Sequence, residues 1–100
     1  MYSPSWLRFE WDPHKASANL AKHGVPFTEA ISVFSDETGL VLDDPDHSAI
    51  EDRFVLIGLS AELRVLVVVH CLREGGQVIR LISARRASRI ERQQYLARNS

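Results

Sequence analysis

The chain contains one cysteine in 100 residues. Cys71 alone can close no intramolecular disulfide and can build no cysteine-rich zinc site. It follows an apolar run, where a small buried hydrophobe is expected. Long apolar runs are also missing: the longest, Val65 to Val69, falls far short of a membrane span. The first residues lack a basic stretch followed by an apolar one, so no signal peptide is expected and a cytoplasmic location is. The four histidines, His14, His23, His47 and His70, do not fall at metal-motif spacing. There is no P-loop, no dinucleotide fingerprint and no nucleophile elbow, so neither a metal nor a cofactor is expected. Repeats and low-complexity tracts are absent as well.

Lysine is scarce and net charge nearly so, at −1. The near-zero sum hides an uneven layout. Residues 1–50 hold three cations (Arg8, Lys15, Lys22) and eight acids, giving −5; residues 51–100 hold nine cations and five acids, giving +4. All nine cations of the second half are arginine. The planar guanidinium fork matches phosphate and carboxylate bidentately, which an ammonium does not. Such asymmetry points to a nucleic acid or an acidic protein surface as partner, or simply to arginine solvating strands and a helix. Hydrophobic residues at 45% and charged residues at 25% exclude a disordered chain.

Leu7 to Trp11 alternates apolar and charged residues, the pattern of a short strand. Asp12-Pro13 starts a helix, with Asp12 as cap and Pro13 at the first helical position. That helix runs to Lys22 or His23, with Ala16, Leu20 and His23 on one face; Gly24 takes the left-handed position and Pro26 blocks resumption. A second helix is expected from Thr28 to about Ser35, with Phe27, Ile31 and Phe34 at helical spacing. Asp36 to Gly39 is a turn with Gly39 free to go left-handed. Leu40 to Leu42 is a strand, and 43–52 an acid-rich polar loop. Three strands follow, Arg53 to Leu59, Arg64 to Cys71 and Gln77 to Ser83, joined by links too short for parallel crossovers. One face of the central apolar strand should pack on helices, and the other is covered or awaits a partner. Ser88 and Glu91 form a capping box for a last helix from about Ala87 to Arg98. The order β-α-α-β-β-β-β-α gives an α+β fold with a mostly antiparallel sheet. Residues 1–6 read as a tail and 7–98 as a single domain.

Three clusters could carry chemistry. His47, Ser48, Glu51 and Arg53 bring an imidazole, a carboxylate and a guanidinium to a loop-to-strand junction, as either a proton-moving site or a capped turn with an exposed ion pair. Arg80 interrupts an apolar strand, sharing a face with Val78 and Ile82, and needs either a site or an acid such as Glu51 or Glu10. Arg85 and Arg86 sit where that strand meets the last helix, whose N-terminus would add positive potential for a phosphate. Arg85, Arg89 and Arg92 would share a face if the helix reached back that far. Lys22-His23-Gly24 ends the first helix, where cations suit the C-terminus on structural grounds alone. His70 near the end of the apolar strand reads first as an edge-of-core residue.

In combination these residues resemble the BrnT-type toxins. The resemblance is carried by Phe9-Glu10-Trp11-Asp12, Lys15, Asn19, Lys22-His23-Gly24-Val25, Phe27, Glu29-Ala30 and Val33-Phe34. It continues through Asp46-His47-Ser48, Glu51, Arg53, Ile57-Gly58 and Val67-Val68-Val69. It closes on Ile79 to Ala87, Glu91 and Tyr95. The resemblance implies a RelE-like fold and a toxin of a type II toxin–antitoxin system, a metal-independent ribonuclease that inhibits translation. It implies a BrnA-like antitoxin with a ribbon-helix-helix DNA-binding part, operator DNA engaged only through that complex, and no membrane.

RNA supplies its own nucleophile, the 2′-OH, so the protein need deprotonate it, stabilise the added negative charge and protonate the leaving oxygen. Arg53, Arg80 and Arg85 are assigned to the phosphate, and Glu51 or His47 to the protons. A free histidine titrates near about 6.5 and a free glutamate near about 4.3, so His47 lies closer to the useful range. Arg86, Lys22, His23, Trp11 and His70 are RNA-binding candidates, Trp11 by stacking a base, although its strand pattern places it in the core. The rival reading is a non-catalytic module whose arginine-rich half docks an acidic protein or a nucleic acid.

Overall fold

The computed structural model describes residues 7–44 and 53–98. Strand β1 (Arg8–Glu10) leads to helix α1 (Pro13–His23) and helix α2 (Phe27–Val33); strands β2 (Leu40–Asp43), β3 (Arg53–Leu59), β4 (Val65–Arg73) and β5 (Val78–Arg86) follow, and helix α3 (Arg89–Arg98) closes the chain. The expected α+β order holds. The sheet runs β1-β5-β4-β3-β2, antiparallel except for β1, which lies parallel to β5.

Local signals set the helix ends. The Asp12 carboxylate accepts from the His14 N–H at 2.8 Å, Pro13 takes the first position, and Gly24 closes α1 at φ 68°. The second helix begins one residue before Thr28 and ends at Val33, short of Ser35. Gly39 does not use the left-handed region; the turn is held instead by the Asp36 side chain, which accepts from the Thr38 N–H at 3.0 Å and the Thr38 hydroxyl at 2.7 Å.

Helices α1 and α2 cover one face of the sheet. Val25, Phe27, Ala30, Val33 and Phe34 pack there on Leu56, Leu66, Val68, Ile79, Leu81 and Ala84. Gly58 makes that approach feasible: a Cβ on it would stand 2.9 Å from the Val33 side chain and 3.2 Å from the Asp36 carboxylate. On the other face a smaller core of Ile57, Val67, Ala87 and Tyr95 lies under α3, with Leu40, Val55 and Val65 against it. That helix is anchored by the Tyr95 hydroxyl, which donates to Asp36 at 2.6 Å. The carboxylate also accepts from the Leu59 N–H at 2.8 Å. Burial pushes the Asp36 pKa up, but these hydrogen bonds and those from Thr38 outweigh it and leave it below the usual carboxylate value.

Helix α1 corrects one expectation. Its buried residue is Asn19, while Leu20 is about half exposed at 49%. The reason lies in β1, which pairs with β5 only from Val78 to Arg80. Beyond that point the edge of β5 needs another partner, and Asn19 supplies it. Its amide nitrogen donates to the Ala84 carbonyl at 2.8 Å and its oxygen accepts from the Ala84 N–H at 3.0 Å, as a neighbouring strand would. A further bond to the Val25 carbonyl at 3.0 Å ties in the turn after α1. Replacing Asn19 with Leu strands three buried backbone groups, each costing about 1–3 kcal/mol. Urea denaturation of Asn19→Leu should show a loss of at least about 3 kcal/mol; an unchanged midpoint would show that the clamp is dispensable.

Candidate active site

Strand β5 runs to Arg86, not Ser83, and α3 starts only at Arg89. Arg85 and Arg86 are therefore strand residues, and the pleat sends them to opposite faces. The expected joint phosphate site at the helix start is split, and the face shared by Arg85, Arg89 and Arg92 on one helix does not form. Nor do Val78, Arg80 and Ile82 line up simply. The β4–β5 register steps from Val69↔Ser83 to His70↔Leu81, leaving Ile82 as one extra residue in β5. In a regular strand Arg80 and Arg85, five residues apart, would face opposite ways. The bulge switches the parity and sets both on the face away from α1 and α2.

Arg53 joins them there. Across the sheet, Glu10 pairs with Arg80, Arg80 with Cys71, and Cys71 with Arg53. These four residues form one lateral row on one face. Strand spacing puts Arg53 about 10 Å from Arg80. The next rows hold half-buried Ser83 and Val69, then Arg85 beside Val67 at the margin of α3.

Each of two arginines is held by a carboxylate. Glu10 reaches Arg80 at 3.4 Å and Arg73 at 3.7 Å, which realises the pairing that an arginine in an apolar strand demands. Glu91 grips Arg85 bidentately at 2.7 and 2.8 Å. The capping box fixes Glu91 in turn: its carboxylate accepts the Ser88 N–H at 2.8 Å, and the Ser88 hydroxyl accepts the Glu91 N–H at 3.2 Å. The box was legible in the sequence; its second duty, orienting Arg85, was not, because nothing local reports a bond across the strand–helix junction.

The other candidates are scattered. His47 and Glu51 lie outside the described residues. The Asp44 N–H donates to the Arg53 carbonyl at 3.1 Å. His70 points the opposite way, fully buried among Phe34 and Phe54, with ring centroids 4.9 and 6.1 Å away. Burial pushes its pKa down to about 4, so it is neutral near pH 7 and unavailable to RNA. Trp11 packs edge-on against Phe27 in the helix-side core. Lys22 and His23 lie at the end of α1, on the helix side, and Arg86 is exposed at the end of β5 on that same side.

One buried ion pair braces this end of the molecule. Glu29, 8% exposed, accepts from Nε and Nη2 of Arg64 and from the Ser60 hydroxyl at 2.7 Å. The Arg64 hydrogen bonds hold its pKa below the usual carboxylate value. Glu29 and Arg64 lie 35 residues apart, so no local pattern in the sequence announces the pair.

The model of the family described as "Ribonuclease toxin, BrnT, of type II toxin-antitoxin system" matches residues 11–91. The chain belongs to that family. Among solved structures it is similar to the 1.1-Å crystal structure of the Brucella abortus ribonuclease toxin BrnT, with 26% identity and a TM-score of 0.64 over 83% of this chain and 99% of that one. No curated protein sequence matches the chain. No helix among the described residues is long and apolar enough to cross a membrane.

In this BrnT-family chain the matched segment ends on Glu91, the residue that holds Arg85. The Arg85 hydrogen bonds, followed by those from Ser88, lower the Glu91 pKa to about 2 against the opposing effect of burial. A carboxyl group depressed on folding contributes its stability in full above its unfolded value near 4.5, and loses it as pH falls from there towards about 2. Solvent around Arg85 limits the pair to about 1 kcal/mol or less. Glu91→Gln should therefore be slightly less stable than the wild type at pH 7 and lose less on moving from pH 5 to pH 3. Denaturant titrations at the three pH values check this. Parallel losses in both proteins would show that the pair does not couple to folding.

Proposed function

We propose that this chain is the toxin of a type II pair and cleaves RNA without a metal ion, inhibiting translation, through a single toxin domain spanning residues 7–98. The observation that carries the reading is the placement of Arg53, Arg80 and Arg85 on one sheet face, Arg85 about 13 Å along the strands from the row of the other two, with Arg80 and Arg85 held by carboxylates. Their guanidinium forks suit the non-bridging oxygens of a phosphodiester and the extra negative charge it gains when the 2′-OH attacks. Glu51 or His47 takes the 2′-OH proton or returns one to the leaving 5′-oxygen. The products are then a 2′,3′-cyclic phosphate and a free 5′-hydroxyl. Neutralisation falls to an antitoxin of BrnA type, whose ribbon-helix-helix part carries operator binding for the complex.

The assay is cleavage of single-stranded RNA by purified protein in EDTA, with the products' ends identified. Arg53→Ala and Arg85→Ala should each lower kcat by about 100-fold or more, the usual cost of one transition-state donor, and each should abolish growth arrest. Full activity in both folded variants would refute the assignment. Antitoxin binding without any RNA cleavage by the wild type would favour a non-catalytic docking module.

A further inference from the structure

A second basic site lies around the end of β5 from Arg85. Leu63, Arg64, Val65, Arg86, Ala87 and Arg92 line an open pocket of about 330 Å3. The charge of Arg64 is matched by Glu29. Arg86 and Arg92 are exposed, and neither forms an ion pair among the described residues. Two guanidinium groups with no carboxylate in direct contact among the described residues thus line one opening, Arg86 acting on Glu29 only through space. Arg92 is steadied by donating to the Ala87 carbonyl at 3.4 Å.

The rim has an unusual feature. Leu63 adopts φ 63° and is 79% exposed. A left-handed conformation costs a leucine about 1–2 kcal/mol, and it leaves a large apolar side chain in water. The turn that imposes it is fixed from below: Leu63 N–H donates to the Ser60 carbonyl at 2.9 Å, Ser60 N–H to the Arg64 carbonyl at 2.8 Å, and the Ser60 hydroxyl to Glu29. An apolar rim beside two exposed guanidinium groups offers a surface for a ribose or base next to a place for its phosphate.

The helix side adds to the same corner. An Arg64 nitrogen lies 3.4 Å from the Gly24 carbonyl, so the end of α1 with Lys22 and His23 reaches this end of the sheet.

We infer that the Arg86–Arg92 pocket is a subsite for a phosphate of the RNA strand flanking the bond to be cut, with Leu63 against the neighbouring sugar or base. The inference rests on reading the Arg53–Arg80–Arg85 face as the cleavage site: the pocket wraps the end of β5 immediately beyond Arg85 and includes Arg92 of α3, so a strand leaving that face around the end of the sheet meets it. Its ligand is a backbone phosphate, so the subsite adds affinity that grows with RNA length and carries no base preference.

The test uses the whole protein with Arg86→Ala and Arg92→Ala combined, after thermal unfolding shows the fold unchanged. Binding is read with a 2′-O-methyl oligoribonucleotide, which cannot be cleaved. Affinity should fall about tenfold, and the dependence of log K on log salt should flatten by about 1 to 2. In cleavage assays the wild type should prefer an oligonucleotide to a dinucleotide through KM, and the double variant should lose that preference. Equal affinity and equal salt slope in the two proteins would overturn the subsite, whether or not antitoxin binding changes. If the wild type cuts no RNA, the cleavage reading fails, while the uncleavable oligonucleotide still decides the subsite.

Discussion

Strand β5 is paired on both sides over its first residues and must bury side chains against the helices along its length. Its buried set begins on odd positions, Ile79 and Leu81, and continues on an even one, Ala84. Only an extra residue reconciles these, and Ile82 is that residue. The same switch moves the arginines of the opposite face from even to odd, Arg80 to Arg85. Without the bulge, a strand that buried Ile79 and Leu81 would turn Arg85 into the helix-side core or expose Ala84. One inserted residue therefore satisfies the core and assembles the basic face in a single step, which is how bulges commonly re-aim side chains near sites.

The sheet's two faces divide the labour that follows. Helices α1 and α2 seal one face with large apolar groups, and the Asn19 amide finishes the edge that the short strand β1 leaves open. On the other face α3 covers only the region of Ile57 and Val67. It is a polar helix with a single buried residue, Tyr95, so its hold depends on a few directed contacts. Two of these, Tyr95 to Asp36 and Glu91 to Arg85, tie it to α2's end and to β5. Anchoring the helix and orienting Arg85 are thus one interaction seen from two sides.

Much of this was legible in advance where the signal is local. Asp12-Pro13 and Gly24 bound α1, the Ser88–Glu91 box starts α3, and the short links between strands fix the antiparallel hairpins. What stayed hidden depends on residues far apart in the chain. The parallel pairing of β1 with β5, the Asn19 clamp on Ala84 and the Glu29–Arg64 pair each join positions more than thirty apart. The boundary at Arg85-Arg86 was misplaced because arginine suits strand ends and helix starts alike. The bulge left no glycine to mark it, so parity arguments from Arg80 pointed to the wrong neighbours. His70, read from the sequence first as an edge-of-core residue, lies in the core, where its neutral ring packs edge-on against Phe34.

The layout also explains why an arginine-rich half coexists with a net charge of −1. Several guanidinium groups on one face repel each other, and folding must bring them together before any anion is bound. Glu10 between Arg73 and Arg80, and Glu91 on Arg85, relieve that repulsion from within. Both carboxylates leave part of each fork open, since a guanidinium carries five donors and a carboxylate takes at most two of them in parallel. A phosphate can then join the pair instead of displacing it. Around the end of β5 the arrangement differs: Glu29 hydrogen-bonds Arg64 and acts on Arg86 only through space, so Arg86 and Arg92 have no carboxylate in direct contact among the described residues. Flanking phosphates bound there would supply affinity, while the carboxylate-held arginines of the sheet face orient the reacting one.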